Sequence, residues 1–161
     1  MTPKAFLDTN ILLDLLLERP GYEDSARILQ AGEDGEAVLC CSFLTMANLA
    51  FILRKTVSAT RLVPTLVQIK SLVKVLPMDE GQLSEACFLN GPDFEDILQA
   101  VCARQGACTH IVTRNVADFS FTCMDSFPNE AGAFPTVCTP AEFVQYLSDN
   151  TTRDQVTPEA R

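Results

Sequence analysis

Short apolar runs that end in polar turns alternate along this chain with longer segments whose apolar residues recur at helical spacing. Residues 5–7 are apolar and stop at Asp8-Thr9-Asn10, and residues 11–17 resume an apolar pattern broken only by Asp14. That pattern reads as a buried strand, a polar turn and a helix. Residues 18–21 form a turn, and Tyr22, Ala26, Ile28 and Leu29 mark a helix over 22–31 that Gly32 is expected to end. A second buried strand covers 37–41. It leads into a helix over 42–55, with Leu44, Leu49, Ile52 and Leu53 on its apolar face, and then a longer helix over 59–73. Residues 75–76 are a brief third strand closed by Pro77, and Asp79 is set to cap a helix over 80–88. Asn90-Gly-Pro92 punctuates before Asp93 opens a helix over 94–105, which Gly106 ends. Residues 110–113 make a fourth strand and 114–119 the turn beyond it. The stretch 120–135, rich in Phe but scattered with Asp, Glu, Asn, Gly and Pro, reads as a loop. A fifth strand at 136–138 runs into Thr139-Pro-Ala-Glu142, a capping box with Pro in the first helical position, and a last helix to about Tyr146.

Strands separated by helices, with few hairpin signals, predict an α/β domain. Helices should cover both faces of a parallel five-stranded sheet, a three-layer α/β/α sandwich. The domain is expected over 1–147, and the polar stretch 148–161, which lacks a core-facing stripe, is expected to be a loose tail. In open sheets of this kind ligands bind outside the carboxyl ends of the strands. Asp8 stands at such an end, as a local turn or capping residue or as part of a site.

Composition sharpens this picture in three places. A 161-residue chain that is 47% hydrophobic supports one globular core, and residues 11–17 are too short and interrupted to span a bilayer, so a soluble cytoplasmic protein with no membrane partner is expected. The seven cysteines are odd in number and include no C-x-x-C pair, which argues against a zinc knuckle and a full disulfide framework and for small core residues. The single His110 lies in an apolar run, against any His-based metal site or catalytic triad. A net charge of −9 does not draw nucleic acid through the overall field, so any RNA or DNA must be met by a local basic patch or by bound cations.

The carboxylates then matter as a group. Asp8 follows the first strand, Asp93-Phe-Glu-Asp96 starts a helix, and Asn115-Val-Ala-Asp118 follows the fourth strand. These termini converge on one rim of a parallel sheet. Converging carboxylates suit a hard divalent cation such as Mg²⁺ or Mn²⁺, and such a cation serves phosphodiester hydrolysis. The helix dipole alone also favours acids at helix starts, so Asp93, Glu95 and Asp96 have a purely structural reading beside the functional one.

Four stretches, in this order, resemble the PIN-domain family of metal-dependent ribonucleases, which includes the toxin halves of many toxin–antitoxin pairs. They are Phe6-Leu-Asp-Thr-Asn-Ile-Leu-Leu-Asp-Leu-Leu, Ser42-Phe-Leu-Thr-Met-Ala-Asn-Leu-Ala-Phe-Ile-Leu-Arg-Lys55, Asp93-Phe-Glu-Asp-Ile-Leu-Gln-Ala100 and Ile111-Val-Thr-Arg-Asn-Val-Ala-Asp-Phe119. The resemblance covers roughly residues 5–146. It implies a sheet in the order 3-2-1-4-5, which sets Asp8 across a crevice from the turn Arg114 to Asp118. By position, Asp8 and Asp96 match two of the family's metal-binding acids. Asn48 stands where many members carry Glu, Asn115 where an acid is common, and Asp118 three residues on is a substitute.

The resemblance thus implies a Mg²⁺- or Mn²⁺-dependent endoribonuclease. Asp8, Asp96 and Asp118 would be its catalytic acids, with Asp93 and Glu95 as further ligands. Thr9, Asn10 and Thr113 are expected to steady Asp8 or a metal-bound water, with Asn48 and Asn115 in support. Arg114 is the leading candidate for a phosphate contact, with Arg54 and Lys55 behind it. RNA, a cognate antitoxin and a second copy of the chain are the expected partners. Asn48 and Asn115 also fit a second reading, a catalytically weakened PIN-like module that binds RNA or protein. A phosphate-transfer receiver, the third α/β alternative, wants a lysine after its fifth strand, where this chain has Thr139-Pro-Ala-Glu142.

Overall fold

The computed structural model describes residues 2–120, 122–123 and 133–155. In chain order its elements are β1 (Lys4–Leu7), α1 (Thr9–Leu16), α2 (Tyr22–Glu33), β2 (Val38–Ser42), α3 (Phe43–Leu53), α4 (Ala59–Leu72), β3 (Lys74–Leu76), α5 (Glu80–Ala86), β4 (Leu89–Asn90), α6 (Phe94–Gln105), β5 (His110–Val112), a 3-10 turn (Val116–Phe119), β6 (Thr122–Cys123), β7 (Thr136–Cys138) and α7 (Pro140–Gln155).

The main sheet has five strands in the order β3-β2-β1-β5-β7, all parallel. Numbered among themselves, these strands run 3-2-1-4-5, as expected. The central strands β1 and β5, and β2 beyond Val38, are buried on both faces, which is why they read as continuous apolar runs, while the edge strands β3 and β7 are partly exposed. Alternate residues part cleanly. Ala5, Leu7, Leu39, Cys41, Val112 and Cys138 join the core beneath α1, α2, α3, α4 and α7. Phe6, Cys40, Ile111 and Val137 join the opposite core, against α6. Phe6, fully buried at the centre, is the side chain whose loss would be felt most here, about 3–5 kcal/mol for Phe6→Ala. Cys40, Cys41, Cys102, Cys108 and Cys138 are buried free thiols, as the composition suggested, while Cys87 is exposed.

Four expectations change. Gly32 does not end α2; it lies inside the helix, where an added Cβ would sit 2.5 Å from Leu39 Cδ1. The left-handed terminator is Gly35 (φ 77°), and Glu36 N–H closes the turn on Ala31 C=O at 2.8 Å. Close approach to β2, not termination, accounts for Gly32. The helix after Asp79 stops at Ala86, because β4 pairs antiparallel with β6 inside the stretch read as a loop. A two-residue pairing leaves no periodicity to detect. Finally, α7 does not stop at Tyr146 but continues to Gln155, beyond the end of its apolar face. The predicted capping box forms at Thr139 with Glu142, and the expected cap at Asp79 closes as a full box with Gln82.

Candidate active site

The sheet order sets β1 beside β5, and the last rung of their ladder is the Asp8 N–H donating to Val112 C=O at 3.0 Å. That rung puts Asp8 next to Thr113. Asp8 holds the N-cap position of α1, yet its carboxylate closes no capping hydrogen bond. Instead Thr113 Oγ1 donates to Asp8 Oδ2 at 2.9 Å, and the Asn115 N–H donates to Thr113 Oγ1 at 3.1 Å. The closest partner of Asp8 thus lies across the sheet, with the backbone N–H groups of Thr9 and Asn10 beside it. Burial pushes its carboxyl above the usual range, opposed by Thr113, by the backbone of Thr9 and by Asn10. Thr113 grips the carboxylate itself rather than standing over water, and the Thr9 hydroxyl is buried with no hydrogen-bond partner among the described residues.

The start of α6 supplies the facing acids. Asp93 is the N-cap, and its Oδ1 accepts from the Glu95 N–H at 2.7 Å and the Asp96 N–H at 3.4 Å. Here the structural reading holds. Glu95 Oε1 accepts from Asn48 Nδ2 at 2.5 Å and from Gln99 Nε2 at 3.0 Å. Asn48, expected in support of the site, holds Glu95 through its amide nitrogen. Behind it, Gln99 Oε1 accepts from Thr45 Oγ1 at 3.4 Å, and Thr45 Oγ1 meets Ser42 Oγ at 3.0 Å, a fully buried polar line from β2 to the rim. Sequence reading missed Ser42, Thr45 and Gln99. Their signal was polar residues at i, i+3 and i+4 spacing (Ser42, Thr45, Asn48; Glu95, Gln99) on faces that should be apolar.

Electrostatics tie these groups together. Desolvation raises the Glu95 carboxyl, Asp93 and then Asp8 push it further, and the Asn48 and Gln99 donors hold it back. Asp96, half-buried, is pushed up to about 7, first by burial and then by Asp8, Asp93, Glu95 and Asp118 in turn. Asp118, on the 3-10 turn beyond β5, therefore shares the crevice, while Asn115 stands exposed at the N-cap of that turn. Among the described residues no three His, Cys, Asp or Glu side chains are already closed around a cation position. The donor chemistry nonetheless fits a hard divalent ion: the acids offer oxygens only, no Lys or Arg among the described residues pairs them, and burial with mutual repulsion opposes their ionisation, a cost that a bound cation would offset.

The basic candidates fall differently. Arg114 directly follows Thr113, and its Nη1 donates to Asp14 Oδ1 at 2.8 Å. Arg54 and Lys55 lie at the far end of α3, about 9 Å along the axis from Asn48. They stand over the Phe51 ring, at 4.0 and 5.8 Å from its centroid, and do not border the acidic crevice.

Comparison with known proteins bears on the same stretches. A family model described as PIN domain matches residues 4–117. Among solved structures, a chain of the VapBC2 complex of Rickettsia felis, bound to a DNA fragment from its promoter, is 15% identical with a TM-score of 0.61, over 84% of this chain and 98% of that one. A chain of the Neisseria gonorrhoeae FitAcB structure is 20% identical (TM-score 0.59; 85% and 98% covered). A chain of a toxin–antitoxin complex from Klebsiella pneumoniae is 19% identical (TM-score 0.56; 84% and 97% covered). At these identities the likeness is one of fold. No curated protein is similar enough in sequence to count as a match.

Proposed function

Because the chain belongs to the PIN-domain family, we propose that it is a divalent-metal-dependent endoribonuclease, the toxin of a toxin–antitoxin pair acting in the cytoplasm on single-stranded RNA. The observation that carries this reading is the crowding of Asp8, Glu95, Asp96 and Asp118 at the β1–β5 crevice with no cationic side chain among the described residues to pair them. Asp8, Glu95 and Asp96 would hold Mg²⁺ or Mn²⁺, with Asp118 across the crevice and Asp93 confined to capping. When bound, such an ion supplies an activated water and neutralises charge on the phosphate. Thr113 fixes the Asp8 carboxylate from β5, and Asn48 and Gln99 fix Glu95 from α3 and α6. These buried donors keep the acids oriented before any ligand arrives. The toxin–antitoxin complexes among the fold neighbours support an antitoxin partner, and we expect the chain also to pair with a second copy of itself.

Purified protein should cut single-stranded RNA only with Mg²⁺ or Mn²⁺ present, and Asp8→Asn should lower the rate at least about a hundredfold while leaving the far-UV spectrum unchanged. Cleavage that survives chelation, or that Asp8→Asn leaves intact, would overturn this reading. A second reading, a PIN-like binding module, draws on Asn48, which carries no charge and is engaged with Glu95. RNA binding and metal binding without cleavage would favour it.

A further inference from the structure

Beside the acidic crevice lies a second charged group. Asp14 is 1% exposed and sits among buried Ile11, Leu12 and Leu13 on α1, a costly place for a carboxylate. Its Oδ1 accepts a hydrogen bond from Arg114 Nη1 at 2.8 Å and forms a looser ion pair with Arg19 Nη1 at 3.6 Å. The two arginines arrive by separate routes. Arg114 directly follows Thr113, which grips Asp8. Arg19 is turned back by the end of α1, where Glu18 adopts φ 47°, its N–H donates to Leu15 C=O at 3.4 Å, and the Arg19 N–H donates to Asp14 C=O at 3.0 Å. That closure follows the Schellman pattern, with a non-glycine residue in the left-handed position at a cost of about 1–2 kcal/mol.

One arginine would suffice to pair one carboxylate. Two leave a net positive charge, and the side chains of Arg114 and Arg19 remain 47% and 35% exposed. Both guanidinium groups converge on the same oxygen atom, so they stand close enough for one tetrahedral anion to bridge them. Each gives one nitrogen to Asp14 and keeps its other N–H donors. In a chain of net charge −9, this is the kind of local basic feature that binding a polyanion requires.

We propose that Arg19 and Arg114, aligned by buried Asp14, form a phosphate-binding subsite that holds the RNA backbone next to the acidic crevice. The proposal rests on the nucleic-acid reading above. Arg19 and Arg114 contact a phosphodiester flanking the one to be cut, and Asp14 is a positioning residue that acts through them. Pairing with Asp14 is then what orients Arg114 toward substrate.

The test is binding of a labelled single-stranded RNA oligonucleotide to the full chain carrying Asp8→Asn, in Mg²⁺, across a range of salt. Arg19→Ala and Arg114→Ala should each weaken binding about five- to tenfold and reduce the salt slope by about 0.7. Lys70→Ala, on α4, should change neither. Asp14→Asn separates alignment from neutralisation. It removes a negative charge, so a mere neutraliser would yield tighter binding, whereas alignment predicts weaker binding, with Asp14→Glu nearer the parent. Should Asp14→Asn fail to fold, the arginine variants still decide. Unchanged affinity in Arg19→Ala, tighter binding in folded Asp14→Asn, or no RNA binding at all would overturn the subsite. Absence of metal-dependent cleavage by the unsubstituted chain, with the arginine effects intact, would instead overturn the hydrolytic reading and leave the subsite standing.

Discussion

The two ends of α6 treat buried charge in opposite ways. At its carboxyl end Arg104, with only 5% of its side chain exposed, donates to Glu85 of α5, and Gln105 donates to the other oxygen of that carboxylate at 2.9 Å. At its amino end Asp96 has Asp8, Asp93, Glu95 and Asp118 for neighbours, and its carboxyl rises to about 7. The helix dipole explains the sign of charge at each end, since it favours anions at the first turn and cations at the last. It does not explain the crowding. A dipole contributes about 0.3–1 kcal/mol, less than the burial and repulsion that displace Asp96 so far. Where only folding is at stake, this chain pairs its buried charge, as Arg104 with Glu85. At the rim it does not, and the missing charge is what a bound cation would bring.

Breaking the paired end should have the largest effect on stability. Arg104→Met leaves Glu85, 13% exposed, without its cationic partner and with only Gln105 donating to it, and is expected to cost about 2–3 kcal/mol in urea denaturation. A loss below about 1 kcal/mol would mean that the pair is incidental and the contrast between the ends is empty. Filling the unpaired end should have the next largest. Mn²⁺ at a hundredfold excess over its Kd should stabilise the protein by about 2.7 kcal/mol, read as a rise in Tm, and Asp8→Asn should remove most of that rise. Asn48→Glu adds an oxygen anion beside Glu95 and should tighten Mn²⁺ binding in calorimetric titration. Weaker binding by a folded variant would mark Asn48 as a support for Glu95 alone.

The smallest effect is the most diagnostic of repulsion. The Asp96 carboxyl is raised from 3.8 to about 7, so between those pH values the folded state keeps a proton that the unfolded state has lost. Stability of the metal-free protein should therefore fall as pH rises through that window and level off above it. Asp96→Asn removes the penalty. Allowing for solvent screening of a half-buried group, it should raise Tm by about 2–4 °C at pH 8, with the gain fading toward pH 4. A variant that is less stable at pH 8 would show that Asp96 holds the fold rather than straining it.

The sequence by itself determined the five strands of the main sheet, the helices between them, the cap at Asp79 and the capping box at Thr139, because these depend on period, apolar runs and residues within one turn. It also gathered the acidic clusters at one rim of the parallel sheet, and the resemblance to the family picked Asp8 and Asp96 from them, with Asp118 as a substitute. Distances across the chain decided the rest. Gly32 looked like a terminator until β2 was packed against it, and Asp93 and Asp8, alike as N-cap carboxylates in sequence, parted when Thr113, 105 positions away, took hold of Asp8. Asp14 was a lone polar residue in an apolar helix until Arg19 and Arg114 reached it. Whether a polar side chain caps, pairs or is left for a ligand is set by partners that only the folded sheet brings within hydrogen-bonding reach, and no local pattern encodes that reach.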